Sequence, residues 1–300
     1  MNHIIYHDHC NDGFAAAIIA RLSLGTHSCM MYPASYGKSW TDYIPTSQPE
    51  DEIYILDFSF QPQEILEMCS SHKQVTWLDH HKTAIDAWYD AELAQPDNLA
   101  FDLNMKHSGA MLTWLWFNRK IDPNVTVEEA PIGVKMIDDR DRWVFAIPQT
   151  KAFHAGLNLI PKDWFDSDAI FSWENALEFY TSAEYVWQDG AVILSYQEKL
   201  YAELATNARK VTINGYEGLA CNAPGQFASD IGHILAKRSG TFGLVWQVDG
   251  MGNYKFSIRS EGDFDVSKLA GYFGGGGHKN AAGFSIGDGN KNAWGFIEGF

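Results

Sequence analysis

The chain is short of positive charge. Its 300 residues carry 22 lysines and arginines against 38 aspartates and glutamates, a formal net charge of −16. That balance excludes the broad basic face that long nucleic acid demands. A short anionic substrate can still be handled where bound cations neutralise the site locally. Cysteine is scarce as well: Cys10, Cys29, Cys69 and Cys221 include no CxxC pair. A chain of this size is stable without covalent staples, so reduced thiols in a cytoplasmic setting are expected. Long hydrophobic runs are missing, and none approaches the ~18 apolar residues needed to span a bilayer. The opening MNHIIYHDHCNDG has neither a basic segment nor an extended apolar one, so no signal peptide and no membrane association are expected. No internal repeat or low-complexity tract is visible.

What is present is a globular composition, with 46% hydrophobic and 20% charged residues. Three hundred residues are more than one core usually serves, which favours two domains. In the first half, short apolar runs alternate with helical patterns. HIIY (His3–Tyr6) precedes GFAAAIIARL (Gly13–Leu22), EIYILDFSF (Glu52–Phe60) precedes PQEILEMCSS (Pro62–Ser71), and QVTWL (Gln74–Leu78) follows. Strand and helix in alternation imply a parallel sheet. SGAMLTWLWFNR (Ser108–Arg119) and EEAPIGVKMIDD (Glu128–Asp139) read as further helices. The proline-free, amphipathic stretch from about Asn175 to Arg209 reads as one or two helices that link domains. Beyond it, strand runs with Asn-Gly and Asp-Gly turns flank the helix ASDIGHILAKRSG (Ala228–Gly240). The expected architecture is therefore α/β: a parallel-sheet domain over 1–180, a helical linker over 181–209, and a smaller α/β domain over 210–300.

Parallel sheets bind ligands outside the carboxyl ends of their strands. His7, Asp12, Asp57 and the run Asp79-His80-His81 all fall at such ends, so residues distant in sequence are expected to converge. DDRDRW (Asp138–Trp143) places further acids toward the C-terminal end of a helix, where the macrodipole disfavours negative charge. A mixed nitrogen and oxygen set without thiolate pairs suits Mn2+, Fe2+, Co2+ or Mg2+ better than structural Zn2+. Two cations about 3.5–4 Å apart are a standard device for transferring a phosphoryl group to water. In the second half, GGGGHKNAAGF (Gly274–Phe284) suggests close backbone approach to an anion, with small residues that could open a helix. Arg259 is a candidate phosphate fork.

These segments together resemble the DHH phosphoesterase family, named for its Asp-His-His motif. YHDHCNDGFAAA looks like the first motif, ILDFSF the second, LDHHKT the third and MIDDRDRW the fourth. RS…GGGGHKNAAGF looks like the associated C-terminal substrate domain. The resemblance implies a RecJ-like core, a centre of two metals, most simply Mn2+, and hydrolysis of phosphodiesters or phosphoanhydrides. By resemblance His7, Asp12, Asp57, His80 and Asp139 are metal ligands, with Asp141 as the competitor of Asp139. Asp57 is similar to the bridging carboxylate, His81 to a phosphate contact and Asp79 to the group that orients its neighbours. Arg259, Gly275, Gly276, Gly277 and His278 resemble the substrate clamp.

The first motif departs from the family pattern. Many members carry two aspartates spaced D-x-D, and here Cys10 stands where the first would be. Asp8 or His9 substitutes, or one metal has fewer protein ligands, or Cys10 itself ligates. The leading expectation is a metal-dependent phosphodiesterase for short nucleotides, such as oligoribonucleotides or linear dinucleotides, working without long nucleic acid and leaving a homodimer open. The alternatives are a phosphoanhydride hydrolase acting on polyphosphate or pyrophosphate, and a non-catalytic nucleotide-binding module.

Overall fold

The computed structural model describes residues 1–287 and the backbone of 297–298; the rest of the expected 210–300 domain lies outside the described residues. The chain divides into two compact units, Met1–Leu194 and Ser195–Phe300. The first contains β1 (Asn2–His7), α1 (Asn11–Leu24), β2 (Cys29–Ala34), β3 (Glu52–Leu56), α2 (Pro62–Ser71), β4 (Gln74–Asp79), α3 (Lys82–Asp90) and β5 (Leu99–Leu103). Helices α4 (Gly109–Arg119), α5 (Ile132–Asp141), α6 (Thr150–Leu157), α7 (Ser167–Glu178) and α8 (Tyr180–Thr206) follow, and the unit boundary falls inside α8. No described helix is long and apolar enough to cross a membrane.

The five strands form one parallel sheet in the order β2-β1-β3-β4-β5. Alternation along each strand builds two cores. Ile4, Tyr6, Tyr54, Leu56 and Leu78 face one layer, packed with α1, α4, α5 and α7. Ile5, Ile53, Ile55, Val75 and Trp77 face the other, with Ile65 and Met68 of α2 and Trp88 of α3. Burial on both faces explains why the strands read as nearly continuous apolar runs. The edge strands β2 and β5 have no counterpart in the sequence reading. They are only partly buried, and β2 carries Pro33, which a sheet tolerates at its edge.

The second unit contains β6 (Arg209–Ile213), β7 (Tyr216–Asn222), α9 (Ala228–Ser239), β8 (Phe242–Val248), β9 (Tyr254–Ser260), α10 (Val266–Gly271), β10 (Gly276–His278), β11 (Ala281–Ile286) and β12 (Ile297–Glu298). Its sheet runs β10-β11-β9-β8-β7-β6-β12, antiparallel except for the parallel pair β7 and β8. Ile231 and Leu235 of α9 cover one face, and Val266 and Leu269 of α10 the other. The residues after the glycine run do not open a helix. They form β11, because Ala282, Phe284 and Ile286 alternate into the core while their neighbours point away. The glycines serve the β10–β11 hairpin: a Cβ on Gly275 would sit 2.1 Å from the Gly283 carbonyl oxygen, and Gly277 has φ +139°.

Helices α6 and α8 touch backbone to backbone. A Cβ on Gly190 would lie 1.9 Å from the Ala152 carbonyl oxygen, and one on Gly156 would lie 2.0 Å from that of Val186. Gly190→Ala should therefore force the helices apart and destabilise the protein by about 1–3 kcal/mol. Urea denaturation followed by tryptophan fluorescence checks this, and an unchanged midpoint would show that the crossing has slack.

Candidate metal centre

The site is a row at one edge of the parallel sheet. Tyr6 pairs with Leu56, and Leu56 with Leu78. The next residues of the three adjacent strands are His7, Asp57 and Asp79, so register alone aligns them. Strand order reverses between β1 and β3, the place where open α/β sheets take ligands. Asp57 leaves β3 with φ +53°, a left-handed conformation that aspartate tolerates better than most residues.

Asp57 is the hub and is 1% exposed. Its Oδ1 lies 3.0 Å from His80 Nε2 and 3.9 Å from His81 Nδ1, and its Oδ2 lies 3.7 Å from His7 Nδ1. His80 Nε2 is also 3.6 Å from Asp12 Oδ2 and 3.4 Å from Asp141 Oδ2. Asp12 accepts from the Gly109 and Ala110 N–H groups at 2.6 and 2.8 Å, so it satisfies the open N-terminus of α4. A Cβ on Gly109 would be 2.4 Å from Asp57 Cβ, so glycine lets α4 press against the hub. Asp79 orients its neighbours. Its Oδ1 accepts from the His80 N–H at 2.8 Å and lies 2.7 Å from His81 Nδ1, while the Ser59 hydroxyl donates to Oδ2.

The electrostatics follow from burying Asp12, Asp57 and Asp79 together, with the partly exposed Asp141 against them. Burial raises the Asp12 carboxyl well above its ordinary range, reinforced by Asp57 and Asp141. Desolvation of its carboxyl at this crowded edge raises Asp141 against the pull of His80, and Asp57 adds to the rise. For Asp57 burial opposes ionisation, but His7, His80 and His81 outweigh it and hold the carboxyl well below the usual range. For Asp79 burial is likewise outweighed, chiefly by His81. Burial alone would make His7 and His80 less basic, yet Asp57 for His7, and Asp141 and Asp57 for His80, raise both.

Two buried atoms at the hub, His7 Nδ1 and Asp57 Oδ2, have no hydrogen-bond partner. Unpartnered buried polar atoms are rare and costly, and here they face one another. Among the described residues of the first unit, three groups offer ligand atoms mutually within 4.8 Å: His7, Cys10 and Asp57; Asp12, Asp57 and His80; and Asp57, Asp79 and His81. The nitrogen and oxygen donors, the excess of carboxylates and the unpartnered atoms fit a divalent cation.

The structure does not bring every expected residue here. Asp139 is turned to its own loop, accepting from the Ala146 and Ile147 N–H groups at 2.8 and 3.1 Å and from the Thr150 hydroxyl at 2.5 Å. Asp141 stands at His80 instead. Asp8 pairs with His9 at 3.1 Å, and the His9 side chain is 91% exposed. In the second unit Arg259 is braced by the Ile258 carbonyl at 2.9 Å and the Ser229 hydroxyl at 2.9 Å. Gly276, Gly277 and His278 form β10. Residues absent from the sequence reading include Ser59, Gly109 and the pair Asn11–His154, 3.1 Å apart. His154 is held neutral by burial with Arg140 and Lys162 nearby. Ser108 before an apolar run is an N-cap signal that points to the start of α4; Ser59 and His154 carry no local signal.

Residues 218–294 match the DHHA1 domain family. RecJ from Thermus thermophilus, solved in complex with Mn2+, superposes over 98% of this chain and 51% of its own, with a TM-score of 0.51 at 15% identity. The fold is RecJ-like. A DHH domain from a protein described as a member of a family of ribosomal proteins gives a TM-score of 0.54 at 12% identity, covering 97% of this chain and 84% of that one. An uncharacterized protein of Acanthamoeba polyphaga mimivirus is 29% identical over 308 residues, 93% of this chain. The chain spans 66% of that relative's length.

Gly109→Ala should push α4 off Asp57 and weaken metal binding while costing about 1–3 kcal/mol in stability; calorimetric titration with Mn2+ reads the first and urea denaturation the second. A pH dependence follows from the raised groups. The unfolded reference values are about 3.9 for aspartate and about 6.5 for histidine. Asp12, Asp141, His7 and His80 are all raised, so the folded metal-free state holds extra protons, and their stabilisation is lost as pH rises through the folded values. Asp57 and Asp79 act with opposite sign only below about pH 4. His107 and His154, depressed by burial, do so only below about pH 6.5. Chelator-treated protein should therefore be less stable at about pH 8.5 than at about pH 6.5. Denaturation midpoints at the two pH values measure this, and a rise would contradict the assignment.

Proposed function

We propose that the protein is a metal-dependent hydrolase of phosphoester bonds acting on short nucleotides such as oligoribonucleotides or linear dinucleotides. The observation that carries this reading is the buried Asp57 hub, whose Oδ2 faces the equally unpartnered His7 Nδ1. Two of the ligand groups, His7–Cys10–Asp57 and Asp12–Asp57–His80, share Asp57. Sharing supports a centre in which Asp57 would contribute a donor to each of two cation positions, with Asp141 rather than Asp139 beside His80. Manganese is favoured by the Mn2+ complex of Thermus thermophilus RecJ. Such ions, when bound, would acidify a water molecule and neutralise phosphate oxygens.

The chain's own groups supply the rest. Asp57 sets the spacing of the donors around it. Asp79 fixes the backbone of His80 and His81 through two N–H groups and the His81 ring through Nδ1, an orientation in which His81 is proposed to contact a phosphate oxygen. Asp12 ties the donors to α4. In the DHHA1 unit, Arg259 is held rigidly enough to act as a phosphate fork, and the Gly275–Gly277 backbone with His278 is proposed to hold a substrate phosphate. The net charge of −16 favours a short substrate over a long strand.

The test is release of mononucleotide or phosphate from 5′-phosphorylated dinucleotides, bisphosphorylated adenosine, cyclic dinucleotides and polyphosphate, with chelator and with Mn2+. The reading expects Mn2+-dependent turnover of a short linear nucleotide. Asp57→Asn, which keeps shape and removes charge, should retain less than about a tenth of it. Turnover of polyphosphate alone would make the enzyme a phosphoanhydride hydrolase. Nucleotide binding without turnover of any substrate would make it a binding module.

A further inference from the structure

Cys10 occupies the N-cap of α1, immediately beyond the β1 turn, in extended conformation (φ −107°, ψ +138°). Helix N-caps favour serine, threonine, aspartate and asparagine, whose oxygens accept from the open N–H groups. Cys10 makes no side-chain cap bond there. Its sulfur points elsewhere: Sγ and the ligand atoms of His7 and Asp57 lie within 4.8 Å of one another. The two partners supply an independent observation. Both His7 Nδ1 and Asp57 Oδ2 are buried without a hydrogen-bond partner, and Asp57 is 1% exposed. The His7 ring is fixed in that direction by edge and tilted contacts with Tyr36 and Phe58, at 5.7 and 5.9 Å between centroids.

The other first-motif candidates are elsewhere. Asp8 is paired with His9, whose ring stands in solvent. We propose that Cys10 is a thiolate ligand of one metal position, with His7 and Asp57, and that this position takes a softer divalent cation, Zn2+, Co2+ or Fe2+, in preference to Mg2+. The proposal rests on the metal centre described under Proposed function. The neighbouring position, Asp12, Asp57 and His80, has only oxygen and nitrogen donors. The two positions then differ in ligand softness, and a mixed pair of metals becomes the natural occupancy. On binding, the sulfur–metal bond forms as the thiol proton passes to solvent.

Cobalt reports both positions without reference to catalysis. Metal-stripped full-length protein is titrated with Co2+ without oxygen, and its absorption is followed from the near-ultraviolet to the visible. The parent should develop a sulfur-to-cobalt charge-transfer band together with the weaker visible bands. Cys10→Ser should lose the first and keep visible bands from the neighbouring position. It should also bind Zn2+ at least about tenfold more weakly. A variant carrying Cys29→Ser, Cys69→Ala and Cys221→Ala should keep the charge-transfer band. Persistence of the band in Cys10→Ser would overturn the proposal, as would Co2+ binding by the parent with no such band. In the latter case Mn2+-dependent hydrolysis would survive, and only the thiolate assignment would fall. Failure of the parent to bind Co2+, Zn2+ or Mn2+ would overturn the metal centre and this ligand together.

Discussion

The arrangement depends on the burial of the Asp57 carboxylate among other carboxylates. An isolated buried charge is costly, and Asp12, Asp79 and Asp141 beside it add repulsion. Asp57 remains ionised because His7, His80 and His81 converge on it from two strand ends. Asp79 holds the His81 ring and the His80 backbone N–H, Ser59 holds Asp79, and the N-terminus of α4 holds Asp12. Each partner is itself fixed by secondary structure, so the charge cluster and the sheet edge form one construction.

The glycines beside this cluster have a common role. Gly109 brings α4 against Asp57, and Gly13 brings the start of α1 against His7, where a Cβ would meet the His7 carbonyl oxygen at 2.5 Å. Two helix N-termini, with their open N–H groups, thus lie at a site rich in negative charge. This is the favourable end for carboxylates and the reverse of the problem that the acids of α5 pose at its C-terminus.

Much of this was legible in the sequence because polar residues at the ends of apolar runs are a strong signal. His7 and Asp79 end buried strands, Asp57 follows one, and the parallel register brings them level. The choice between Asp139 and Asp141 was not legible. Residues two apart on a helix point about 200° apart, and which one faces the sheet depends on the packing of α5. The loop after α5 then takes the Asp139 carboxylate for its own N–H groups. Edge strands β2 and β5 escaped because half-buried strands lack a continuous apolar run. The hairpin of β10 and β11 escaped because Ala-Ala-Gly-Phe fits either period over so short a length. The DHHA1 match, residues 218–294, spans the glycine run that stood out in the sequence.

The contact between Gly109 and Asp57 has a consequence for how such a protein changes over time. A donor on a flexible loop can drift while the scaffold stays still. Here the donor at the centre of the cluster abuts the backbone of a core helix, whose Leu115 shares one core with Phe14 and Ile18 of α1. A methyl group gained or lost in that interior is therefore transmitted to the spacing of the ligands. Sequence drift in the core is filtered by chemistry as well as by folding, and the two requirements cannot be relaxed separately.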